Sequence, residues 1–199
     1  MKRFIKSCTP TYKIADTQDE FDQIHRLNYE TFVQEIPQHP RNPDGVLVDK
    51  FHEENTYLVC LDGDTLAGML AVRGKRPFSL DAKLPNLDTY LPPCHSVCEI
   101  RLLAVRKEYR FTVVFSRLAA FMAAFCGEKE YDMVVISGTV RQIKLYRHIG
   151  FTPFGPVVGT PEAHYQPMYM AVAPEAVERL LKTADRSSSS SFGKVDSDS

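Results

Sequence analysis

The spacing of apolar residues changes period several times along the chain, and each change marks an element. Thr11–Ala15 predicts a short strand. Thr17 follows as a helix cap, with Glu20 three residues on completing a capping box. Phe21, Ile24, Asn28 and Phe32 then share one helical face, flanked by Leu27 and Tyr29. Pro37, Pro40 and Pro43 break the next stretch into an irregular loop. Tyr57–Leu61 and Thr65–Arg73 predict strands around Asp62-Gly63-Asp64, a hairpin signal. Residues 74–95 hold Pro77, Pro85, Pro92 and Pro93, and a loop of that length inside a compact domain is more often functional than idle.

Val97–Val105 predicts another strand, and Val114, Leu118, Phe121 and Phe125 mark a helix closed by Gly127. Met133–Ser137 is a continuous apolar run, the pattern of a buried strand. A helix over about 140–149 stops at Gly150. Strands near Phe154–Val158 and Tyr165–Val172 precede a short helix begun by Pro174. The succession β-α-loop-β-β-β-α-β-α-β-β predicts a single α/β domain built on a mixed sheet, in three layers.

Composition narrows the function. The 199 residues carry 24 Lys+Arg against 25 Asp+Glu, a net charge of −1. That balance excludes binding to nucleic acid or a membrane surface through bulk positive charge. The 44% hydrophobic content fits a globule of one domain, 1–183, with a disordered Ser/Asp-rich tail over 184–199. No apolar run reaches the length of a membrane span, and the basic start of the chain lacks a signal-peptide core, so a cytoplasmic protein is expected. Five cysteines, at 8, 60, 94, 98 and 126, are read as reduced thiols. Cys94-His95-x-x-Cys98 lacks a second ligand pair at suitable spacing, so no metal site is expected.

Three stretches carry a family resemblance. Cys98-Glu99-Ile100-Arg101-Leu102-Leu103-Ala104-Val105, followed by Tyr109-Arg110 and a helix, is one. Leu145-Tyr146-Arg147-His148-Ile149-Gly150-Phe151 resembles the helix end and Gly-Phe turn of the GCN5-related N-acyltransferase superfamily. Asp49-Lys50-Phe51-His52, with Tyr57-Leu58-Val59, Gly68, Pro77-Phe78 and Glu99, resembles the acyl-homoserine-lactone synthase branch. Within that branch the whole-chain pattern over about 12–172 is similar to the bacterial long-chain N-acyl amino acid synthases of the N-acyltyrosine type.

The resemblance implies two parallel strands that splay apart, here about 97–105 and 133–138. The pantetheine arm of the donor pairs with free backbone groups near Leu103, Ala104 and Val105, as a strand adds to a sheet edge. Glu99 matches the acidic general base, or else forms only an ion pair with Arg101 or Arg73. Tyr146, four residues before Gly150, matches a tyrosine that protonates the leaving thiolate, or else only packs. Arg101 and Arg73 are each displaced from the family's arginine; each either binds an acceptor carboxylate or makes a structural ion pair. Strand alternation puts position 101 on the opposite face from position 102, where the lactone synthases have their arginine.

Asp49 fits the first acidic position of the lactone synthases, but His52 stands in place of a second aspartate and Asn28 in place of an arginine. These departures weaken an adenosylmethionine acceptor. The turn Arg110-Phe111-Thr112-Val113-Val114-Phe115 has Val113 and Phe115 where acetyl-CoA users have glycines for a pyrophosphate cradle. A carrier-bound phosphopantetheine has a single phosphate and needs no such cradle. Arg106, Lys107, Arg110, Lys144 and Arg147 then suit docking of an acidic acyl carrier protein, or form an ordinary charged face.

The expectation is an enzyme that moves a long-chain acyl group from acyl carrier protein to the α-amine of an amino acid, tyrosine by resemblance. It uses no cofactor beyond the donor's phosphopantetheine. The rivals are lactone synthesis from adenosylmethionine, CoA-dependent N-acetylation, and a catalytically idle binder of carrier protein or acyl-amino acid.

Overall fold

A computed structural model describes residues 10–160, 163–180 and 182; Cys8 and the predicted tail over 184–199 lie outside the described residues. Among the described residues, eight strands form one mixed sheet: β1 (Thr11–Ile14), β2 (Thr56–Asp62), β3 (Thr65–Arg73), β4 (Val97–Val105), β5 (Met133–Thr139), β6 (Thr152–Pro153), β7 (Val158–Thr160) and β8 (Ala163–Ala171). The order is β1-β2-β3-β4-β5-β8-β6, with β7 also on β8. Neighbours run antiparallel except β4 and β5, which are parallel and are joined across one face by α2 (Val114–Glu128). The predicted α/β architecture is the observed one, and β3 and β4 have the predicted bounds.

One face of the sheet buries Cys98, Ile100, Val134, Ile136 and Met168 against Leu118, Met122 and Phe125 of α2. The other face is divided. Over β1–β4 it is covered by α1 (Gln18–Tyr29), through Ile24 and Leu27 on Tyr57, Met69 and Ala71. Over β5 and β8 it is covered by the 74–95 loop, through Phe78, Leu80, Leu84 and Leu87 on Val135 and Phe154. Between helix and loop a cleft runs along β4, where the candidate site residues gather.

Local signals explain most boundaries. Thr17 and Glu20 form the capping box reciprocally, each side chain accepting from the other's backbone N–H. The chain past α1 widens into a π-helical turn, Glu30–Glu35, that places Glu30 and Glu35 beside the basic end of β4. Three expectations are corrected. Gly127 lies inside α2, whose apolar face continues through Phe125 and Cys126; Glu130, at φ 57°, takes the left-handed turn, with Tyr131 N–H closing on Cys126 C=O. The helix expected over 140–149 is a 3₁₀ turn, Val140–Gln142, followed by the short α3, Ile143–His148, which ends ahead of Gly150 at φ 107°. The strand expected at Phe154–Val158 is split into β6 and β7, because Gly155 turns left-handed at φ 57° and Pro156 has no N–H to give a ladder. A last helix runs over 174–180 from Pro174, as expected.

Candidate active site

β4 and β5 pair only over Val97–Glu99 and Met133–Val135, although β4 continues to Val105 and β5 to Thr139. Beyond Glu99 the two parallel strands diverge, and β4 presents backbone groups to the gap with no strand partner on that side. Within the gap β4 carries a bulge: Leu70 lies between pairs Met69↔Ala104 and Ala71↔Arg101, and Leu102 adopts φ 55°. The bulge overturns the strict alternation expected from the sequence. Leu102 packs into the cluster under α1, on the side to which Arg101 also reaches, so positions 101 and 102 do not face opposite ways.

The two sides of the gap carry different groups. Tyr146 of α3 lies on the α2 face, its ring against Gly138, where an added Cβ would sit 2.9 Å from Tyr146 Cδ2. Glycine is needed there for close approach. The Tyr146 hydroxyl donates to Gln142 Oε1 at 3.0 Å, and burial pushes its pKa up. Glu99 and Arg101 project to the opposite face, into the cleft between α1 and the 74–95 loop.

Glu99 is 0% exposed. Its Oε1 accepts from Ser79 Oγ at 2.6 Å and Leu80 N–H at 2.9 Å; its Oε2 accepts from Ser79 N–H at 2.7 Å and lies 3.5 Å from Arg101 Nε. A buried carboxylate persists only when matched in this way. The ion pair to Arg101 is therefore present; Arg73, its cross-strand neighbour, turns elsewhere.

Arg101 grips Asp49 with two bonds, Nη1 to Oδ1 at 2.6 Å and Nη2 to Oδ2 at 2.9 Å. Burial pushes the Asp49 carboxyl up, but the Arg101 fork, aided by Phe51 N–H and Asn55 Nδ2, outweighs it and holds the group below the usual carboxylate range. Arg73 donates from Nε to Pro77 C=O at 3.0 Å and stacks on the Phe51 ring at 3.7 Å, with Arg101 4.8 Å from the same ring. Its Nη2 is 3.5 Å from Glu54, while Nη1 is buried without a partner. Arg101 is thus committed to a structural pair, and Arg73 retains one unused donor nitrogen.

From Asp49 a polar chain runs outward through Asn55 Nδ2 (3.0 Å) and the Tyr57 hydroxyl (3.3 Å from the same nitrogen) to His52 Nδ1 (3.2 Å) and His25 Nε2 (3.4 Å further). Burial pushes Tyr57 up to about 12, and burial together with His52 pulls His25 down. His52 sits in this aromatic group, against Phe21, and not beside the Asp49–Arg101 pair. Asn28 is 0% exposed; its Nδ2 makes a long bond to Leu47 C=O at 3.4 Å and its Oδ1 is unpartnered.

Two cleft residues were missed by sequence reasoning. Ser79 grips Glu99, and only the Pro77-Phe78 context marked its loop. Lys83 places Nζ 4.4 Å over the Tyr165 ring. Burial pulls its pKa down, Glu99 opposes this, and Arg101 and Lys50 add to it; Lys83 keeps an exposed surface, so water screens much of the effect. No pattern in the sequence distinguishes this lysine from a surface one.

At the mouth, Arg110 donates from Nε to Val105 C=O at 2.9 Å and from Nη2 to Glu35 at 2.7 Å. Arg106 bonds Leu66 C=O at 2.7 Å and lies 3.9 Å from Glu30, while Lys107 is 3.4 Å from Glu35. The expected basic cluster is therefore divided. These three share the two carboxylates of the π-helical turn, whereas Lys144 and Arg147 are exposed on α3 with no acidic partner among the described residues. Cys98 is buried with Sγ 3.7 Å from that of Cys126. A separate groove of about 550 Å³, lined by Arg76, Phe78, Asp88 and Cys94, lies at the far end of β4 from the gap.

Residues 23–173 match the family model described as N-acyl amino acid synthase FeeM. The chain belongs to this family. It is an N-acyltransferase, which the parted strands and their two differently equipped sides already suggest. Comparison with curated proteins gives no match. Among solved structures, the CoA-dependent acyl-homoserine lactone synthase BjaI, with SAM and isopentyl-CoA, is similar at TM-score 0.73 and 22% identity over 84% of this chain and 83% of that one. The AHL synthase LasI aligns at TM-score 0.71 and 15% identity over 96% and 98%. FeeM itself, from uncultured soil microbes, aligns at 0.58 and 14% over 82% and 92%. These likenesses are of fold. In this FeeM-family chain the strands part beyond Glu99, with Glu99 and Arg101 on one face of the sheet and Tyr146 on the other.

Breaking the Asp49–Arg101 pair tests the framework of that cleft. Asp49→Asn leaves the part-buried Arg101 guanidinium with Glu99, 3.5 Å from its Nε, as its remaining counter-charge and should lower stability by about 3 kcal/mol in urea unfolding. Because the folded Asp49 pKa is depressed, its contribution is complete above about pH 4 and lost as pH falls through the folded value. The wild type should therefore lose more stability on acidification than the variant does. Equal unfolding midpoints would remove the pair as a structural clamp.

Proposed function

We propose that the enzyme transfers a long-chain fatty acyl group from acyl carrier protein to the α-amine of an amino acid, tyrosine, in the bacterial cytoplasm. The observation that carries this reading is the gap between β4 and β5 with an acidic group on one side and a tyrosine on the other. The acyl-pantetheine arm adds to the free edge of β4 between Leu103 and Val105. The acceptor enters from the Glu99 side, its carboxylate drawn by the exposed Lys83, whose ammonium stands over the Tyr165 ring. The α-ammonium gives a proton to the Glu99 centre, and the amine attacks the thioester. Backbone N–H groups freed near the Leu102 bulge face the developing oxyanion. Tyr146, kept protonated by its burial, supplies the departing thiolate with a proton.

The turn before α2 supports a carrier-bound donor over free CoA. Thr112 N–H bonds Tyr109 C=O at 3.2 Å and Val114 N–H bonds Thr112 Oγ1 at 3.3 Å, so two amides that would face a pyrophosphate are already used. Phe111 stands wholly exposed on the same turn, and Lys144 and Arg147 on α3 have no acidic partner among the described residues. An apolar tip and free cations suit a small acidic protein. Tyrosine as the acceptor follows from the sequence's resemblance to N-acyltyrosine synthases. Asn28 and His52, replacing an arginine and an aspartate of the lactone synthases, favour an acceptor other than adenosylmethionine.

Mass spectrometry after incubation with palmitoyl-carrier protein, a mixture of amino acids and adenosylmethionine should find N-palmitoyltyrosine. An acyl lactone with methylthioadenosine would select lactone synthesis, and an untouched acyl carrier would select a binder. Charge reversal at Lys144 and Arg147 should lower kcat/KM for carrier-bound acyl relative to acyl-pantetheine by roughly 5–10-fold. An unchanged ratio would exclude α3 as the docking face.

A further inference from the structure

Glu99 has no exposed surface, so an amine entering the cleft cannot touch it. Its neighbours decide how a proton can reach it. Phe78 and Leu80 on either side of Ser79 are buried at 2% and 0%, and Ser79 alone of the three keeps part of its surface open. Its hydroxyl donates to Glu99 Oε1 at 2.6 Å, at the short end of the range for a hydroxyl on a carboxylate. Glu99's other contacts are the backbone N–H groups of Ser79 and Leu80 and the Arg101 guanidinium. An amide or guanidinium cannot yield its proton at neutral pH. The serine hydroxyl can, because after transfer the same bond persists with its polarity reversed, Glu99 donating and Ser79 accepting.

We propose that Ser79 is a catalytic residue of the acyl transfer, receiving the acceptor's ammonium proton at Oγ while passing its own hydroxyl proton to Glu99 Oε1. The step leaves a neutral amine, a serine restored to its hydroxyl form and a neutral glutamic acid. The amine lone pair then forms the C–N bond, the C–S bond breaks, and the thiolate takes the second N–H proton through Tyr146. Glu99 returns its proton to Ser79 and thence to solvent, completing the cycle. Two backbone N–H groups and Arg101, itself fixed by Asp49, hold the carboxylate in place. The role rests on the aminolysis reading above. It deepens that reading by naming the group that meets the amine.

Ser79→Ala keeps both backbone donors to Glu99 and removes only the hydroxyl. At about pH 7 it should lower kcat roughly 10²-fold, with KM for the acyl donor unchanged. The deficit should narrow as pH rises toward about 9, where more of the acceptor arrives already deprotonated. Ser79→Thr should restore most of the rate, and Ser79→Val, matched to threonine in shape, should not; this pair carries the test if the alanine variant fails to fold. Wild-type kcat in Ser79→Ala, equal rates for threonine and valine, or a loss constant with pH and carried in KM would each overturn the relay. The wild type run alongside separates the two levels of the account. If it forms no N-acyl amino acid, the acyl-transfer reading fails; if it does and the alanine variant matches it, only the relay fails.

Discussion

A carboxylate with no exposed surface sits where the central strands part, and the arrangement of the site follows from the donors that meet it. Glu99 must be met by donors or leave an unpaired charge in the interior, which costs several kcal/mol. Ser79 and Leu80 supply three of those donors, and in doing so they fasten the 74–95 loop to β4. Hydrogen bonds to a charged group are worth about 1.5–3 kcal/mol each, enough to order a proline-rich segment with little regular structure. The fastened loop then covers the β5–β8 half of the sheet with Phe78, Leu80, Leu84 and Leu87.

The second tie runs the other way. Arg101, next on the same face, reaches Asp49 and thereby fixes the loop that follows α1. Two loops from opposite sides are held to two adjacent positions of one strand, and the cleft is the space left between them. Phe51 lies between Arg73 and Arg101, so its ring shields and aligns two cations that would otherwise repel across the cleft floor. On the reverse face Gly138 lets Tyr146 approach the same gap. The acidic centre and the phenol are thus separated by the thickness of the sheet, joined only through the opening between β4 and β5.

The fold was legible because its elements obey local rules. β3 and β4 read as apolar runs between turn residues, and α1 announces itself with Thr17 and Glu20. Boundaries failed where backbone conformation, and not residue type, decides: Glu130 takes a left-handed turn expected of glycine, and Leu102 adopts a positive φ that no sequence rule assigns to leucine. That same bulge defeated the argument from strand alternation about Arg101. The resemblance pointed to Glu99, Asp49 and Tyr146, and the structure places Glu99 and Tyr146 on either side of the gap and Asp49 on Arg101. Ser79 and Lys83 were not legible, since a serine and a lysine in a loop carry no signal until the loop's path brings them to β4. The basic residues read as one group in the sequence are divided in the structure, because Glu30 and Glu35, which pair with three of them, are delivered by a π-helical turn that periodicity does not reveal.

The central claim is that the buried Glu99 is the final proton acceptor for the amine. The most direct measurement is the single-turnover rate of acyl transfer against pH for wild type and Glu99→Gln, with equal loading of acyl donor. Glutamine keeps the shape, and its one oxygen can still accept from the Leu80 amide, but it cannot take a proton. The account predicts that the variant is slower by roughly 10²-fold at about pH 7 and that its rate climbs steadily with pH while the wild type levels off. Parallel profiles of equal height would contradict it and leave Glu99 as a structural anchor for the loop.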